Sequence, residues 1–343
     1  MQISVVVPAF NAGATLDRTL QSVLRQTHAD LEVLVIDDGS TDDTRAIAER
    51  HQKSDPRVRV LSQKNAGVAA ARNLGWQNAS ADLIAFIDAD DLWRSRNLEL
   101  QLECLRRAGP RTGLIYSNYL VIDREDRVAL PGRIHRFEGS VLEAILRSNF
   151  VGNGSSILVR RDVLKRCSGF DSTLREKNAQ GCEDYLFYCR AAACCEFGVV
   201  PQSLVGYRIV QSNMSSDRNR TLRSWMLVYE EMLQRHPDRR ATLENGLSFF
   251  AFQQVQNALR QGQLSDSMGI VMQLVRARRY GHAAFVALRG AAEVGYHALF
   301  RLPHKLLAWI VSTAKATERR RVVLFTDETN EVVSEAEPSL RTL

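Results

Sequence analysis

Residues 31–52 read LEVLVIDDGSTDDTRAIAERHQ. A short apolar run rich in β-branched residues ends in the acidic turn Asp37-Asp38-Gly39-Ser40, and a polar stretch of helical character follows. Ser40 or Thr41 is placed to cap that helix ahead of acidic first-turn residues. The same unit lies on either side. Upstream, ISVVVP is a strand ended by proline, and ATLDRTLQSVLRQT carries Leu16, Leu20, Val23 and Leu24 at helical spacing. Downstream come VRVLSQ as a strand, GVAAARNLGWQNA as a helix and DLIAFID as a strand. Apolar strands alternating with helices imply a mostly parallel α/β sheet with helices on both faces.

In such sheets ligands bind beyond the carboxyl ends of the strands. Those ends are Pro8-Ala9-Phe10-Asn11, the Asp37–Ser40 turn, Asn65-Ala66-Gly67, and FIDADD at 86–91, which brings Asp88, Asp90 and Asp91 together. A rim of this kind can clasp a nucleotide. Like charges so close must be solvated, protonated or neutralised, and Mg²⁺ or Mn²⁺ bridging carboxylates to phosphates is the natural neutraliser. The competing reading is an acidic turn ahead of the helix that starts near Arg96. No G-x-x-x-x-G-K-[ST] loop occurs and no G-x-G-x-x-G follows the first strand, so neither a P-loop nor a dinucleotide fold is indicated.

The 343 residues are 45% hydrophobic and 24% charged, ordinary for a globular chain. Charge is uneven. Residues 1–217 carry 27 basic and 27 acidic side chains, residues 218–321 carry 17 and 7, and residues 322–343 carry 1 and 5, so the net +6 originates in the C-terminal third. The six cysteines form no C-x-x-C pair and are expected as reduced, mostly buried thiols. The N-terminus lacks the pattern of a secretory signal and no run of eighteen apolar residues occurs, which places the protein in the cytoplasm.

Beyond residue 101 the regularity falls. QLECLRRAG is a helix, GLIYSNYLVID a strand, VALPGRIH a loop or hairpin and SVLEAILRSN a short helix. GNGSSILVRRDVLKRCSGFDS gives a turn, a strand, a helix and a turn, and NAQGCEDYLFYCRAAAC puts Glu183 and Asp184 at a helix start, where the dipole favours carboxylates. Trp93, Tyr116, Tyr119 and Asn153 are acceptor contacts or packing residues. Residues 218–321 read as helices. In 283–321, Phe285, Leu288, Ala292, Leu299, Leu306 and Ile310 recur near helical spacing among Arg289, Arg301, Lys305 and Lys315. This basic stretch suits either peripheral association with an anionic membrane surface or packing on the catalytic domain. No nucleic-acid motif accompanies the charge. Residues 322–343 are expected as a disordered acidic tail.

Taken together, SVVVPAFN, VIDDGSTDDT, NAGVAAARN, FIDADD, the GFD turn at 169–171 and CEDYLFYCR resemble, in order, the family 2 glycosyltransferases, inverting enzymes of the GT-A fold that use nucleotide-activated sugars. The likeness covers about the first 215 residues. It implies a GT-A catalytic domain over 1–217, with a nucleotide-binding half (1–100) and an acceptor-side half (101–217), followed by a helical extension (218–321). It also implies transfer from a UDP-sugar or similar donor to a hydroxyl of a glycan or lipid-linked acceptor, in bacterial cell-surface polysaccharide or glycolipid assembly. By the same resemblance Asp90 is the direct metal ligand, Asp88 supports ribose or metal, and Asp91 stays ambiguous because the motif aligns in two registers. Asp38 reads uracil; Pro8, Ala9, Phe10 and Asn11 border the base, and Gly67 and Arg72 lie near the nucleotide. Asp184 is the general base and Glu183 orients it or reaches the metal's outer shell. One departure is that Val210 stands where many relatives carry a histidine after the Tyr207-Arg208 pair. The rivals are nucleotidyl transfer, which would require a basic glycine-rich loop that PAFNAGAT does not supply, and a catalytically silent nucleotide-sugar or membrane scaffold.

Overall fold

The computed structural model describes residues 1–130, 132–209, 217–296, 321–323, 325 and 332–334. Four strands, β1 (Ile3–Ala9), β2 (Leu31–Asp37), β3 (Val58–Ser62) and β4 (Leu83–Phe86), form a parallel unit in the order β3-β2-β1-β4. Between them run α1 (Leu16–Leu24), α2 (Thr44–Ser54) and α3 (Val68–Asn78). All seven residues of β1 and of β2 are buried, as covered parallel strands require. The sheet continues through β8 (Ile157–Arg160), β6 (Thr112–Ile122), β9 (Glu196–Arg208) and the short β5 (Leu92–Trp93), with β7 (Val128–Leu130) hairpinned onto β6. Strand β8 runs antiparallel to both β4 and β6, and β9 runs parallel to β6.

Helix α2 begins at Thr44, later than Ser40 or Thr41 would set it. The reason is local: the Ser40 and Thr41 amides donate to Asp37 Oδ1 at 3.0 Å and Asn11 Oδ1 at 2.9 Å, which holds them in the turn. The thirteen-residue β9 does not stand out in the sequence, where Gly198, Pro201 and Gly206 break its apolar run.

Helices α4 (Asn97–Arg107), α5 (Leu142–Arg147), α6 (Arg161–Arg166), α7 (Thr173–Glu176) and α8 (Glu183–Ala192) complete the acceptor-side half. Helices α9 (Arg218–Arg235), α10 (Arg240–Arg260), α11 (Leu264–Arg276) and α12 (Tyr280–Tyr296) share one apolar core with α5 and α8. The Trp225 ring stacks between Tyr185 and Phe250 at 4.1 and 4.0 Å. Arg190 of α8 pairs with Glu231 of α9 through two bonds of 2.7 and 2.8 Å. One face of these helices is therefore packing surface, while Leu264, Met268, Tyr280 and Leu288 stay exposed. No described helix is long and apolar enough to cross a membrane. Most of the basic stretch 283–321, and Val210, lie outside the described residues.

Part of the expected disordered tail is ordered. Arg321–Val323 pairs antiparallel with Val332–Ser334, and Phe325 is buried with Leu92, Leu120 and Ile122. Burial of the Phe325 ring outweighs the acidic composition around it.

Candidate active site

The carboxyl ends of β1–β4 share one edge, and each turn there is tied to its neighbour. The Asp38 N–H donates to Ala9 O at 2.8 Å. Asp38 is buried; its Oδ1 accepts from Gln63 Nε2 and Ala66 N–H, both at 2.7 Å, and its Oδ2 accepts from Gly67 N–H at 2.8 Å. Asp38 thus holds the Gln63–Gly67 loop in place, with one acceptor position left on Oδ2. Gly67 sits at φ +93, where a side chain would be strained and would meet Arg175 at 3.2 Å. Phe10 projects into solvent at 50% exposure, while Pro8 and Ala9 are buried in β1 and Asn11 anchors Thr41.

The acidic turn divides its three carboxylates. Asp91 is fully buried: Ser155 Oγ donates to its Oδ2 at 2.5 Å and the Arg208 N–H to its Oδ1 at 2.8 Å. Each of its oxygens accepts one hydrogen bond and no face meets solvent, so Asp91 ties Ser155 and Arg208 to the turn. Asp88 is 26% exposed and pairs with Arg72 at 2.6 Å. Asp90 is half-buried and its carboxylate bonds no other described residue. Burial, and after it the charge of Asp88, push the Asp90 carboxyl up to about 6.

Arg208 locks this turn from below. Its side chain is fully buried and donates to Asp90 O at 2.7 Å, to the Asp123 carbonyl and to the Asp126 carboxylate. The tyrosine-arginine pair marked by the sequence thus supplies a structural cation beneath the acidic turn. Ser155 is the residue that sequence reasoning missed: its Oγ accepts the Asp88 N–H at 2.9 Å while donating to Asp91. Nothing in GNGSSI signals that role, because both partners lie more than sixty positions away.

Arg72 is the centre of the polar cluster. It is 4% exposed, its guanidinium lies 5.3 Å from the Phe170 ring centroid, and a Cβ on Gly154 would sit 2.2 Å from its Nη2. Burial disfavours its charge, but the carboxylates of Asp88 and Asp184 more than offset this and leave its pKa raised. Its Nε has no hydrogen-bond partner among the described residues. Tyr188 of α8 donates to Asn153 O at 2.8 Å alongside.

Asp184 and Glu183 open α8. Glu183 is buried and its Oε2 accepts from the Gly181 N–H at 2.8 Å, fixing the loop that enters the helix at Gly181, φ +117. Asp184 is half-buried, and beyond the adjacent Tyr185 amide, at 2.7 Å, its carboxylate bonds no described residue. Burial pushes Asp184 up to about 7 against the pull of Arg72, with Glu183 adding to the rise. The structure brings Asp88, Arg72 and Asp184 into one electrostatic neighbourhood. Of the four aromatic and amide candidates, Tyr116 donates to Phe137 O, Trp93 to Ser155 O, and Asn153 caps its own turn, so these three are packing residues. Tyr119 is half-buried and packs edge-on against Tyr207 at 5.8 Å, and its hydroxyl bonds no described residue. The Asp184 charge reaches Tyr119 too, and burial followed by that charge raises the phenol pKa.

Among the described residues no group of three or more His, Cys, Asp or Glu is arranged to hold a metal. A divalent ion that bridges a diphosphate needs only one or two protein carboxylates, however, and Asp90, with its ionisation opposed by Asp88, is suited to such an ion.

Residues 4–167 match the family model for glycosyl transferase family 2. The chain belongs to that family. This glycosyltransferase is 28% identical over 235 residues, covering 68% of itself and 89% of the other chain, to TuaG of Bacillus subtilis (strain 168), whose name carries a provisional assignment to teichuronic acid biosynthesis. Its fold is GT-A. S. aureus TarS 1-349 in complex with UDP-GlcNAc superimposes with TM-score 0.58 at 15% identity, over 98% of this chain and all of that one. The mannosyltransferase PcManGT from Pyrobaculum calidifontis in complex with GDP-Man and Mn²⁺ gives 0.56 at 18% identity, over 92% and 88%.

Proposed function

We propose that this glycosyltransferase is a metal-dependent inverting enzyme that moves a sugar from a UDP-sugar to a hydroxyl of a glycan or lipid-linked acceptor in bacterial cell-surface polysaccharide assembly. The observation that carries the reading is Asp184, a half-buried carboxyl held at about 7 beside Arg72 and within reach of the Asp88 charge. Inversion requires the acceptor hydroxyl to lose its proton as the donor diphosphate departs, and a carboxylate poised near neutral pH is matched to that step. Glu183 holds the loop before α8 and so aims Asp184. The spare Nε of the Arg72 guanidinium is suited to an oxyanion of the donor.

On the donor side, the remaining acceptor position of Asp38 takes the base N–H, the Phe10 ring borders the base, and the Gly67 backbone lies beside the ribose. Asp90 and Asp88 would hold Mg²⁺ or Mn²⁺, which supplies Lewis-acid neutralisation of the leaving diphosphate. On the acceptor side, the unused hydroxyl of Tyr119 positions the incoming sugar. Residues 1–217 carry the catalysis.

The test is thermal stability of the full chain against a panel of nucleotides and nucleotide sugars, with Mn²⁺ or with chelator, beside an Asp90→Ala variant. Ligands that bind the native state raise its melting temperature. A metal-dependent rise with one UDP-sugar, lost in the variant, is expected. Folded protein that no nucleotide stabilises would overturn the reading.

A further inference from the structure

Three of the six thiols meet far from the polar cluster, where α6 and α8 end. Cys167 follows the last residue of α6, and its Sγ lies 3.8 Å from the Sγ of Cys194, just beyond α8. Cys195 is the next residue in the chain. Cys194 and Cys195 are partly exposed while Cys167 is 6% exposed, so the pair has one solvent-facing and one sheltered sulfur. Arg166 donates from Nη1 to the Cys194 carbonyl at 2.8 Å and brings a cation alongside.

We propose that Cys167 and Cys194 are a hydroperoxide-responsive thiol pair that closes to a disulfide around residues 168–193. Cys194 is the attacking sulfur. The Cys167 thiol at 3.8 Å, and after it the adjacent Cys195 thiol, lower its pKa, and the thiolate is the form that reacts. Its sulfur takes one oxygen from the peroxide, breaking the O–O bond and releasing hydroxide, to give a sulfenic acid. The Cys167 thiol then attacks that sulfur, the S–O bond breaks, and water leaves with the proton. Overall, two thiols and one hydroperoxide give one disulfide and two waters when the oxidant is hydrogen peroxide. The other cysteines are poor competitors: burial raises the pKa of Cys182, Cys189 and Cys104.

The ring encloses the elements that set up the polar cluster. Ser168 and Gly169 turn through φ +58 and +66 to place Phe170 beneath Arg72, and Asp171 pairs with Arg190 of α8 at 3.0 Å. The closed loop also contains α7, the Gly181 turn and Glu183-Asp184. Closing it restrains the unfolded chain over the segment that carries Asp184, so the oxidised protein unfolds at higher temperature than the reduced one.

The experiment treats the full chain with hydrogen peroxide and counts thiols, intact mass and linked peptides, beside a Cys195→Ser variant. Expected are the loss of two thiols per chain, a peptide joining Cys167 to Cys194 in both proteins, a raised melting temperature, and reversal by dithiothreitol. In Cys167→Ser the reaction stops at a sulfenic acid on Cys194 that dimedone captures. Retention of all six thiols under conditions that oxidise a free cysteine peptide in the same tube would overturn the proposal. So would a bridge from Cys194 to Cys195, a bridge between two chains, or a bridge that lowers the melting temperature.

Discussion

Asp91 and Asp184 are both carboxylates taken out of bulk water, and the molecule treats them in opposite ways. Asp91 gives its oxygens to Ser155 and to the Arg208 amide and helps fasten three segments together. Asp184, at the start of α8, meets only the neighbouring amide and is left with its ionisation opposed by burial. A carboxyl tied on both oxygens is a joint in the structure. One left partly unsaturated costs stability and remains available for chemistry.

The largest expected effect is on turnover. Asp184→Asn should lower kcat by roughly 10² to 10⁴ while donor-induced stabilisation persists, because the base acts on the acceptor. In the intact protein kcat/KM should fall as pH drops through about 7, where Asp184 takes up its proton. Pre-steady-state and steady-state kinetics from about pH 5 to about pH 9, roughly two units either side of that midpoint, check both.

Arg208→Met removes the cation beneath the acidic turn with its bonds to the Asp90 and Asp123 carbonyls and leaves Asp126 with Arg18 alone, at 2.8 Å, a change expected to cost about 1–3 kcal/mol for the buried carbonyls left without a donor. Urea unfolding measures it, and an unchanged midpoint would remove Arg208 from its structural role. Asp91→Ala leaves the Ser155 hydroxyl and the Arg208 amide without their acceptor, at about 1–3 kcal/mol for each group. The smallest effect falls to Tyr119→Phe. Losing one hydroxyl contact should raise the acceptor KM by roughly 2- to 10-fold, the worth of one hydrogen bond, with the donor KM unchanged.

The sequence disclosed the elements whose signals are local. Strands β1–β4 and the helices between them follow from apolar runs and 3.6-residue spacing, and the rim of Pro8, Asp38, Gly67 and Asp88 follows from strand direction. What it left open depends on distant partners. Within FIDADD, Ser155 and the Arg208 amide hold Asp91 buried, whereas Asp90 is half-buried. Strand β9 is hidden by its glycines and proline because its stability comes from pairing along β6 and not from its own pattern. The split of α9–α12 between packing face and exposed face likewise depends on Trp225 finding Tyr185 and Phe250.

The measurement that separates the two kinds of carboxylate is the melting temperature of Asp184→Asn against the parent protein from pH 4 to pH 8. Asp184 has a native pKa raised above its unfolded value of 3.8, so its contribution to stability is complete below that value and declines until about pH 7. The variant, which has no such proton to lose, should match the parent near pH 4 and melt higher at pH 8, together with the loss of turnover. A variant that melts lower than the parent at pH 8 and keeps its turnover would make Asp184 another structural joint, and the assignment of the base would fail.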